Sequence, residues 1–459
     1  MSFPRFPHRV EEVDYSMPVL RLIQPSQYQE GRLIKYSRVF VPRLTLPTLA
    51  ALTPDDFKVT ITDEYVQDID FDEPCDLVGI TSLTAQAPRA YEIADEFCDR
   101  GVKVIFGGIH PTACPEEAKQ HADALVLGEA ETVWRILLDD FQKGELAPFY
   151  KAVTLADLKG FPLPRFSLLD LNKYETFAYS KKPLIPIQTA RGCPHGCDFC
   201  SVTAFFGRGV RYRPIDEVIT EVKSQNADYY FFVDDNIAVD YERAKALFEA
   251  LVPLRIRWLG QFDATIHRRE DLVKLAAKSG CFAAFIGLES LSAESLKGIG
   301  KSFNPVNEYG KILKMFRDAG VLVYASFIFG FDEDDETVFE RTVAFLESNR
   351  LPLASFAALT PLPGTRLFRR FEAEQRIIEN DWSKFDMINV VISPSQMSAE
   401  KLQQGLWDTY DRFYSRKSIF RRLFFPPTRR ILEAWDMNLT IRKMLKKRIH
   451  LLSGGITDD

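Results

Sequence analysis

Short β-rich runs alternate with helical runs twice along this 459-residue chain, and a proline-rich stretch separates the two series. Such alternation builds parallel sheets covered by helices, because parallel neighbours need a crossover that spans the sheet. In the first series strands are predicted over 59–62, 77–81, 102–106 and 124–127, and helices over 88–100 and 115–121, with Ala90, Ile93 and Phe97 on one face of the longer helix. This order fits an open, doubly wound domain. Pro148, Pro162, Pro164, Pro183 and Pro186 then fall in a stretch with little periodicity, which reads as a linker. A second series places strands over 184–189, 229–233, 257–264, 283–288, 322–328 and 355–359, with helices between them that include 215–226 and 307–319. Six strand-helix units suit a partial (β/α)6 barrel whose carboxyl-terminal strand ends gather the active site. Beyond residue 376 helices prevail, with one extended run at 388–392. The expected division is 1–145, a linker over 146–184, a barrel over 185–375 and a helical region over 376–459.

With 46% hydrophobic and 27% charged residues, the composition is that of folded domains and excludes a disordered or fibrous chain. The apolar runs are strand-length, far short of the ~20 residues that span a bilayer. The opening MSFPRFPHRV lacks the apolar segment of a secretory signal, so a cytoplasmic location is expected. Seven cysteines, three of them packed into positions 193–200, argue against a disulfide framework and for a reducing compartment. Cys75, Cys98, Cys114 and Cys281 sit singly and are expected to be buried, inert thiols.

The segment Arg191-Gly-Cys-Pro-His-Gly-Cys-Asp-Phe-Cys200 follows directly on a predicted strand. Thiolates at C-x3-C-x2-C spacing can hold three irons of a cubane, with Gly192 and Gly196 letting the loop fold around it. One iron is then left open for a substrate, as at catalytic metal sites. The competing arrangement is zinc with His195 as fourth ligand, but that histidine lies between two of the cysteines and the paired C-x2-C spacing is missing.

On this motif the chain resembles the radical S-adenosylmethionine superfamily over residues 185–375. The resemblance implies a [4Fe-4S] cluster on Cys193, Cys197 and Cys200, with S-adenosylmethionine on the open iron. It also implies cofactor contacts from strand ends, here Asp234, Asp235, Asn236 and Glu289, with Gln261 and Asp263 as weaker candidates. The plain alternative is that these acids cap the following helices. Pro361-Leu-Pro-Gly-Thr365 resembles a P-x-P-G-T segment of cobalamin-associated members and sets a rigid turn beside the site.

Asp63-Glu-Tyr65, Ser82-Leu-Thr84 and Gly107-Gly108 each follow a predicted strand of the first domain. That order resembles the Rossmann-like cobalamin-binding domain found ahead of radical S-adenosylmethionine domains. It implies that Ser82, Thr84, Gly107 and Gly108 hold the corrinoid's nucleotide tail. Tyr65 stands where the familiar cobalt-ligating histidine would be, so the cobalamin is expected to bind without a lower histidine. His110, Glu129 and Glu131 are placed to line the corrin or the domain interface.

Between Arg416 and His450 eleven Lys/Arg face only Glu433 and Asp436, interleaved with Phe420, Phe424, Phe425, Trp435, Leu445 and Ile449. A face packed on the barrel and a peripheral contact with an anionic membrane both fit this mixture. No nucleic-acid partner is expected, because no further basic-aromatic module supports one.

The resemblance implies an enzyme that cleaves S-adenosylmethionine to a 5'-deoxyadenosyl radical and methylates an unactivated carbon from cobalamin. A tetrapyrrole pigment or hopanoid-like lipid would be the substrate, and a flavodoxin or ferredoxin the electron donor. Oxidative cyclisation of the Mg-protoporphyrin ester cyclase type is the alternative, followed by an iron-sulfur electron carrier and an RNA-modifying enzyme.

Overall fold

The computed structural model describes residues 17–35, 41–174, 183–424, 428–446 and 448. Residues 1–16, Phe425, Ile449 and His450, which figure in the sequence reading, lie outside this set. Two six-stranded parallel sheets organise the chain.

The first sheet runs in the order β2-β1-β3-β4-β5-β6, with β1 Val19–Gln24, β2 Lys58–Asp63, β3 Leu77–Thr81, β4 Lys103–Gly107, β5 Ala124–Leu127 and β6 Phe149–Lys151. This is the expected doubly wound arrangement, with two corrections. The sequence reading started the series too late and missed β1, the second strand of the sheet. Arg21 interrupts its apolar run, yet that side chain is buried, with Nε donating to Thr62 Oγ1 at 3.3 Å and the guanidinium bonded to the Asp70 carbonyl. The sheet also continues past residue 145 into β6, which lies in the stretch read as linker.

Side chains alternate between the two faces of a strand. Leu20, Leu22, Leu77, Ile105 and Val126 pack under helices Thr45–Leu52 and Trp134–Lys143. Ile23, Val78, Ile80, Val104 and Phe106 pack on the opposite face, under helix Ala87–Asp99. Phe97 of that helix points inward, whereas its neighbour Cys98 is exposed, contrary to the expectation of a buried thiol.

The second sheet runs β7 to β12 in chain order, all parallel: Leu184–Ile187, Tyr229–Phe232, Arg257–Phe262, Cys281–Glu289, Leu322–Phe329 and Leu353–Ala358. Helices Ile215–Gln225, Tyr241–Leu251, Glu270–Lys278, Tyr309–Ala319 and Val338–Ser348 make the crossovers. The result is the expected open barrel, with β12 at one edge. An edge strand leaves backbone groups unpaired, and helix Ala399–Phe413 with its C-terminal cap Tyr414 supplies partners for these. Tyr410 Oη accepts from Phe356 N at 2.8 Å and donates to Phe356 O at 2.6 Å, and Tyr414 Oη does the same for Ala354 at 3.2 and 2.6 Å. The run expected to be extended at 388–392 contributes only one isolated bridge, Ile377 to Ile392.

Helices Arg416–Phe424 and Ile431–Leu445 of the basic region pack on the barrel. Arg422 is buried over the Phe413 ring and donates to the carbonyls of Leu351, Pro352 and Phe413. Much of the tail's positive charge nevertheless remains at the surface.

Candidate active site

The cysteine loop leaves β7 and is held from several sides. Ala190–Arg191 pairs antiparallel with Arg211–Tyr212. Gly192 takes φ +94°, and a Cβ there would lie 2.2 Å from the Gly209 carbonyl oxygen, so no other residue fits. Asp234, at the end of β8, is buried; it accepts from Thr189 N at 2.6 Å, Ala190 N at 3.0 Å and Thr189 Oγ1 at 2.5 Å. Asp235 accepts from Gly192 N at 3.0 Å. On the far side Leu367 N donates to the Asp198 carbonyl at 2.9 Å, and Arg366 pairs with the Asp198 carboxylate at 2.7 Å. The Pro361-Leu-Pro-Gly-Thr365 turn thus leads straight into residues that clamp the loop.

His195 is committed elsewhere than to a metal. Its Nε2 lies 2.7 Å from Asp263 Oδ2 and its ring stacks on Phe303 with centroids 3.6 Å apart. Asn236 Nδ2 donates to the same Asp263 oxygen at 2.8 Å. Among the described residues no three His, Cys, Asp or Glu side chains converge as ligands of a single metal ion. A cubane makes no such demand, because it binds each thiolate through a different iron. Burial pushes the Cys193 thiol up to about 11 and raises Cys197 as well, so without metal both stay protonated, and cluster binding has to displace those protons.

Glu289 ends β10 in the left-handed region, at φ +64°. Its Oε1 accepts from Lys301 Nζ at 2.7 Å and its Oε2 from Ser326 Oγ at 3.2 Å. The Lys301 ammonium lies 6.0 Å from the ring centres of both Phe199 and Phe303. Burial opposes the charge on Lys301, but Glu289 and Cys197 outweigh it and raise its pKa. The structure therefore brings Cys193, Cys197, Cys200, Asp234, Asp235, Asn236, Asp263 and Glu289 to one end of the barrel.

A cavity runs from the first sheet to the barrel. Its floor is Gly79 and Gly107 on adjacent strands and Gly128 just past the next, facing the side of helices Thr45–Leu52 and Trp134–Lys143. A Cβ at Gly79 would lie 2.9 Å from Leu22 Cδ2 and 3.7 Å from Trp134 Cη2, so side chains there would narrow the throat. Gly108, at φ +103°, closes against the backbone of Ser82, and Ser82 Oγ is buried with no hydrogen-bond partner among the described residues. An open throat and a tight glycine turn fit the nucleotide tail of a corrinoid, while Ser82, with its orphaned hydroxyl, lies behind Gly108 and outside the cavity walls. Thr84 is buried on the same loop and is likewise outside the cavity walls. Tyr65 lies outside the cavity walls; its hydroxyl is 3.4 Å from Gln27 Oε1 and accepts from Gln86 Nε2 at 3.2 Å. His110 is fully buried, with Nε2 3.0 Å from Tyr91 Oη.

The sequence reading named Glu129 and Glu131 for the corrin or the domain interface but missed the arginines that pair with them. Arg191, beside the first cysteine, pairs with Glu131 at 2.8 Å and Glu129 at 3.4 Å. Arg211 bonds Glu129 through both carboxylate oxygens. Burial works against the Glu129 carboxylate, but the hydrogen bonds from Arg211 and the charge of Arg191 hold its pKa below the usual value. Arg213 donates to Glu221 at 2.5 Å and to the Gln188 carbonyl at 2.9 Å. The repeated arginines of Arg211-Tyr-Arg213 were the available signal.

Comparison with known proteins agrees with both halves of this picture. The Radical SAM superfamily model matches residues 187–346, and the B12 binding domain model matches residues 39–138. Bacteriochlorophyllide d C-12(1)-methyltransferase of Chlorobaculum tepidum is 32% identical over 93% of each chain. Bacteriochlorophyllide d C-8(2)-methyltransferase of the same organism is 30% identical, over 84% of this chain and 89% of its own. In fold, the chain is similar to the cobalamin-dependent S-adenosylmethionine radical enzyme OxsB, solved with aqua-cobalamin and S-adenosylmethionine bound. That match has a TM-score of 0.68 at 16% identity and covers 94% of this chain and 72% of that one. The chain belongs to the cobalamin-dependent radical S-adenosylmethionine enzymes, whose cofactors are a [4Fe-4S] cluster, S-adenosylmethionine and cobalamin.

Proposed function

We propose that this enzyme methylates an unactivated carbon of a large apolar substrate, a tetrapyrrole pigment in first place and a hopanoid-like lipid in second. The observation that carries the reading is the match to a bacteriochlorophyllide methyltransferase along 93% of both chains. When bound, the reduced cluster supplies the electron that cleaves S-adenosylmethionine to a 5'-deoxyadenosyl radical, and cobalamin supplies the methyl group. The protein's share is placement. Cys193, Cys197 and Cys200 hold the cluster, and Asp234 and Asp235 fix the loop. Asn236 and Glu289 face the S-adenosylmethionine side, and Ser82, Thr84, Gly107 and Gly108 take the nucleotide tail. With the Tyr65 hydroxyl engaged by Gln27 and Gln86, cobalamin has no lower histidine from that position. A flavodoxin or ferredoxin would deliver the electron.

Protein made anaerobically with iron and cobalamin tests this reading directly. It is incubated with S-adenosylmethionine, a one-electron reductant and bacteriochlorophyllide pigments, and the products are weighed by mass spectrometry. One added methyl together with 5'-deoxyadenosine is the expected result. A dehydrogenated or ring-closed product without a new methyl selects oxidative cyclisation instead, and absence of 5'-deoxyadenosine removes both.

We further infer a peripheral contact with anionic membrane through the tail. Phe420, Leu432, Trp435 and Leu439 are between 36% and 73% exposed. The rings of Phe420, Phe424 and Trp435 adjoin, with centroids 5.0 and 5.5 Å apart. Exposed Lys417, Arg421 and Lys443 belong to the same two helices and exposed Lys446 follows the second, while Glu433 is drawn to Arg257 and Arg430. An apolar face with a basic surround is what an anionic bilayer surface attracts. Among the described residues no helix is long and apolar enough to cross a membrane. Co-sedimentation with phosphatidylglycerol vesicles that weakens in salt and in Trp435→Glu is expected; equal recovery with and without vesicles ends the idea.

A further inference from the structure

The cavity has two unlike ends. Toward the first sheet it is apolar, walled by Leu22, Leu46, Ile105, Val126 and Trp134. Toward the barrel its walls carry Glu129, Glu131, Arg191, Arg213 and Glu221, with Arg211 paired to Glu129 behind them. These are three acids and three arginines, and each is in an ion pair with another. The polar end is therefore close to neutral despite its density of charge.

Two atoms of the Arg213–Glu221 pair are left over, as is Nε of Arg211 behind the rim. Arg213 Nη1 is spent on Glu221 Oε2 and the Gln188 carbonyl, but among the described residues Arg213 Nε has no partner, and neither has Glu221 Oε1. The two residues are 6% and 0% exposed. Buried donors and acceptors are rarely left unmade, because the lost hydrogen bond to water is not replaced. Within the pair, one orphan is an N–H donor and the other a carboxylate acceptor. A primary carboxamide answers both, since its oxygen accepts and its NH2 donates. An ionised carboxylate answers only the first and sets a second negative charge against Glu221.

We propose that the Arg213–Glu221 pair recognises the carboxamide side chains on the edge of the corrin ring, and that the neutral rim around it discriminates against macrocycles bearing ionised carboxylates. The inference rests on the corrinoid assignment above and deepens it. It gives the cavity a means of admitting cobalamin while turning away a carboxylate-bearing tetrapyrrole, so cofactor and substrate of related shape do not compete for one place.

The test is equilibrium dialysis of the full chain, cluster reconstituted, with absorbance as the readout. Three probes are compared: cobalamin, cobinamide, which keeps the amides and lacks the nucleotide tail, and cobyrinic acid, which has the same ring with carboxylates. Cobinamide is expected to bind about tenfold or more tighter than cobyrinic acid, the scale of one buried group left unsatisfied. Glu221→Gln removes one negative charge, so it should weaken cobinamide and strengthen cobyrinic acid, narrowing the ratio several-fold. Should that variant not fold, Glu131→Gln unbalances the same rim from a side chain 12% exposed. Equal affinities of the parent for the two probes, or a ratio that neither variant moves, overturns the proposal while leaving the corrinoid assignment standing. Failure to retain cobalamin itself overturns the assignment and the proposal together.

Discussion

At the scale of single residues, the most constrained side chain near the cysteines is Glu289. A non-glycine residue in the left-handed region costs on the order of 1–3 kcal/mol and persists where its surroundings leave no alternative. Here the surroundings are Lys301 and Ser326 on its two oxygens, and a position at Gly287 where a Cβ would come 2.4 Å from Glu289 Oε1. Glu289→Ala would strand the Lys301 ammonium in a buried place without its partner, a loss of about 3–5 kcal/mol. Denaturant titration should show that loss, with Glu289→Gln falling between the parent and Ala. Reduced retention of S-adenosylmethionine by the Gln variant would separate cofactor binding from simple support. Cys197→Ser asks a different question. Its iron content and 5'-deoxyadenosine yield should collapse while its circular dichroism stays that of the parent; full iron in that variant would remove Cys197 from the ligand set.

At the scale of elements, the open edge of the barrel is kept closed to other strands by two tyrosine hydroxyls. Tyr410→Phe leaves Phe356 N and O without their partner, and should cost about 1–3 kcal/mol by chemical denaturation. The turn after β11 carries a second dependence. Asp334 accepts from Gly330 N at 3.0 Å and Phe331 N at 3.1 Å, but burial dominates and pushes its pKa up to about 6. A carboxyl raised in the folded state favours folding below its unfolded value near 3.8, and that contribution is lost as pH rises through about 6. Asp334→Asn cannot ionise, so its melting temperature should gain on the parent between about pH 4 and pH 7; a constant difference over that range would show that Asp334 stays protonated or solvated. Strands such as Leu77–Thr81 and Ala124–Leu127 were legible because they are short, continuous apolar runs buried on both faces. Val19–Gln24 was not, because the buried Arg21 is satisfied by Thr62 and Asp70, partners that only the folded sheet supplies. The cysteine loop could be read from spacing alone, whereas Arg191 gave no sign of its carboxylate partners in another domain.

At the scale of the whole molecule, those partners join the two cofactor domains. On one side Glu129 and Glu131 of the first domain grip Arg191 and Arg211 around the cysteine loop. On another, Trp382 Nε1, from beyond the barrel, donates to Glu117 at 3.0 Å and its ring meets His110 edge-on. Methyl transfer needs the substrate carbon held between groups carried by different domains, and misplacement by about 1 Å can cost roughly a hundredfold in rate. Loosening the grip should therefore uncouple the two halves of the reaction before it removes either cofactor. Glu129→Gln keeps the shape, leaves Glu131 to hold Arg191 and takes the charge away from Arg211. It should still load iron and cobalamin and still cleave S-adenosylmethionine, but the ratio of 5'-deoxyadenosine to methylated product should rise about tenfold or more. If both products fall in step while iron content holds, the contact tunes something other than alignment. If iron itself is lost, the carboxylate supports the cysteine loop and not the register between domains. A rise in the ratio alone, with both cofactors in place, is the signature that only an alignment role produces.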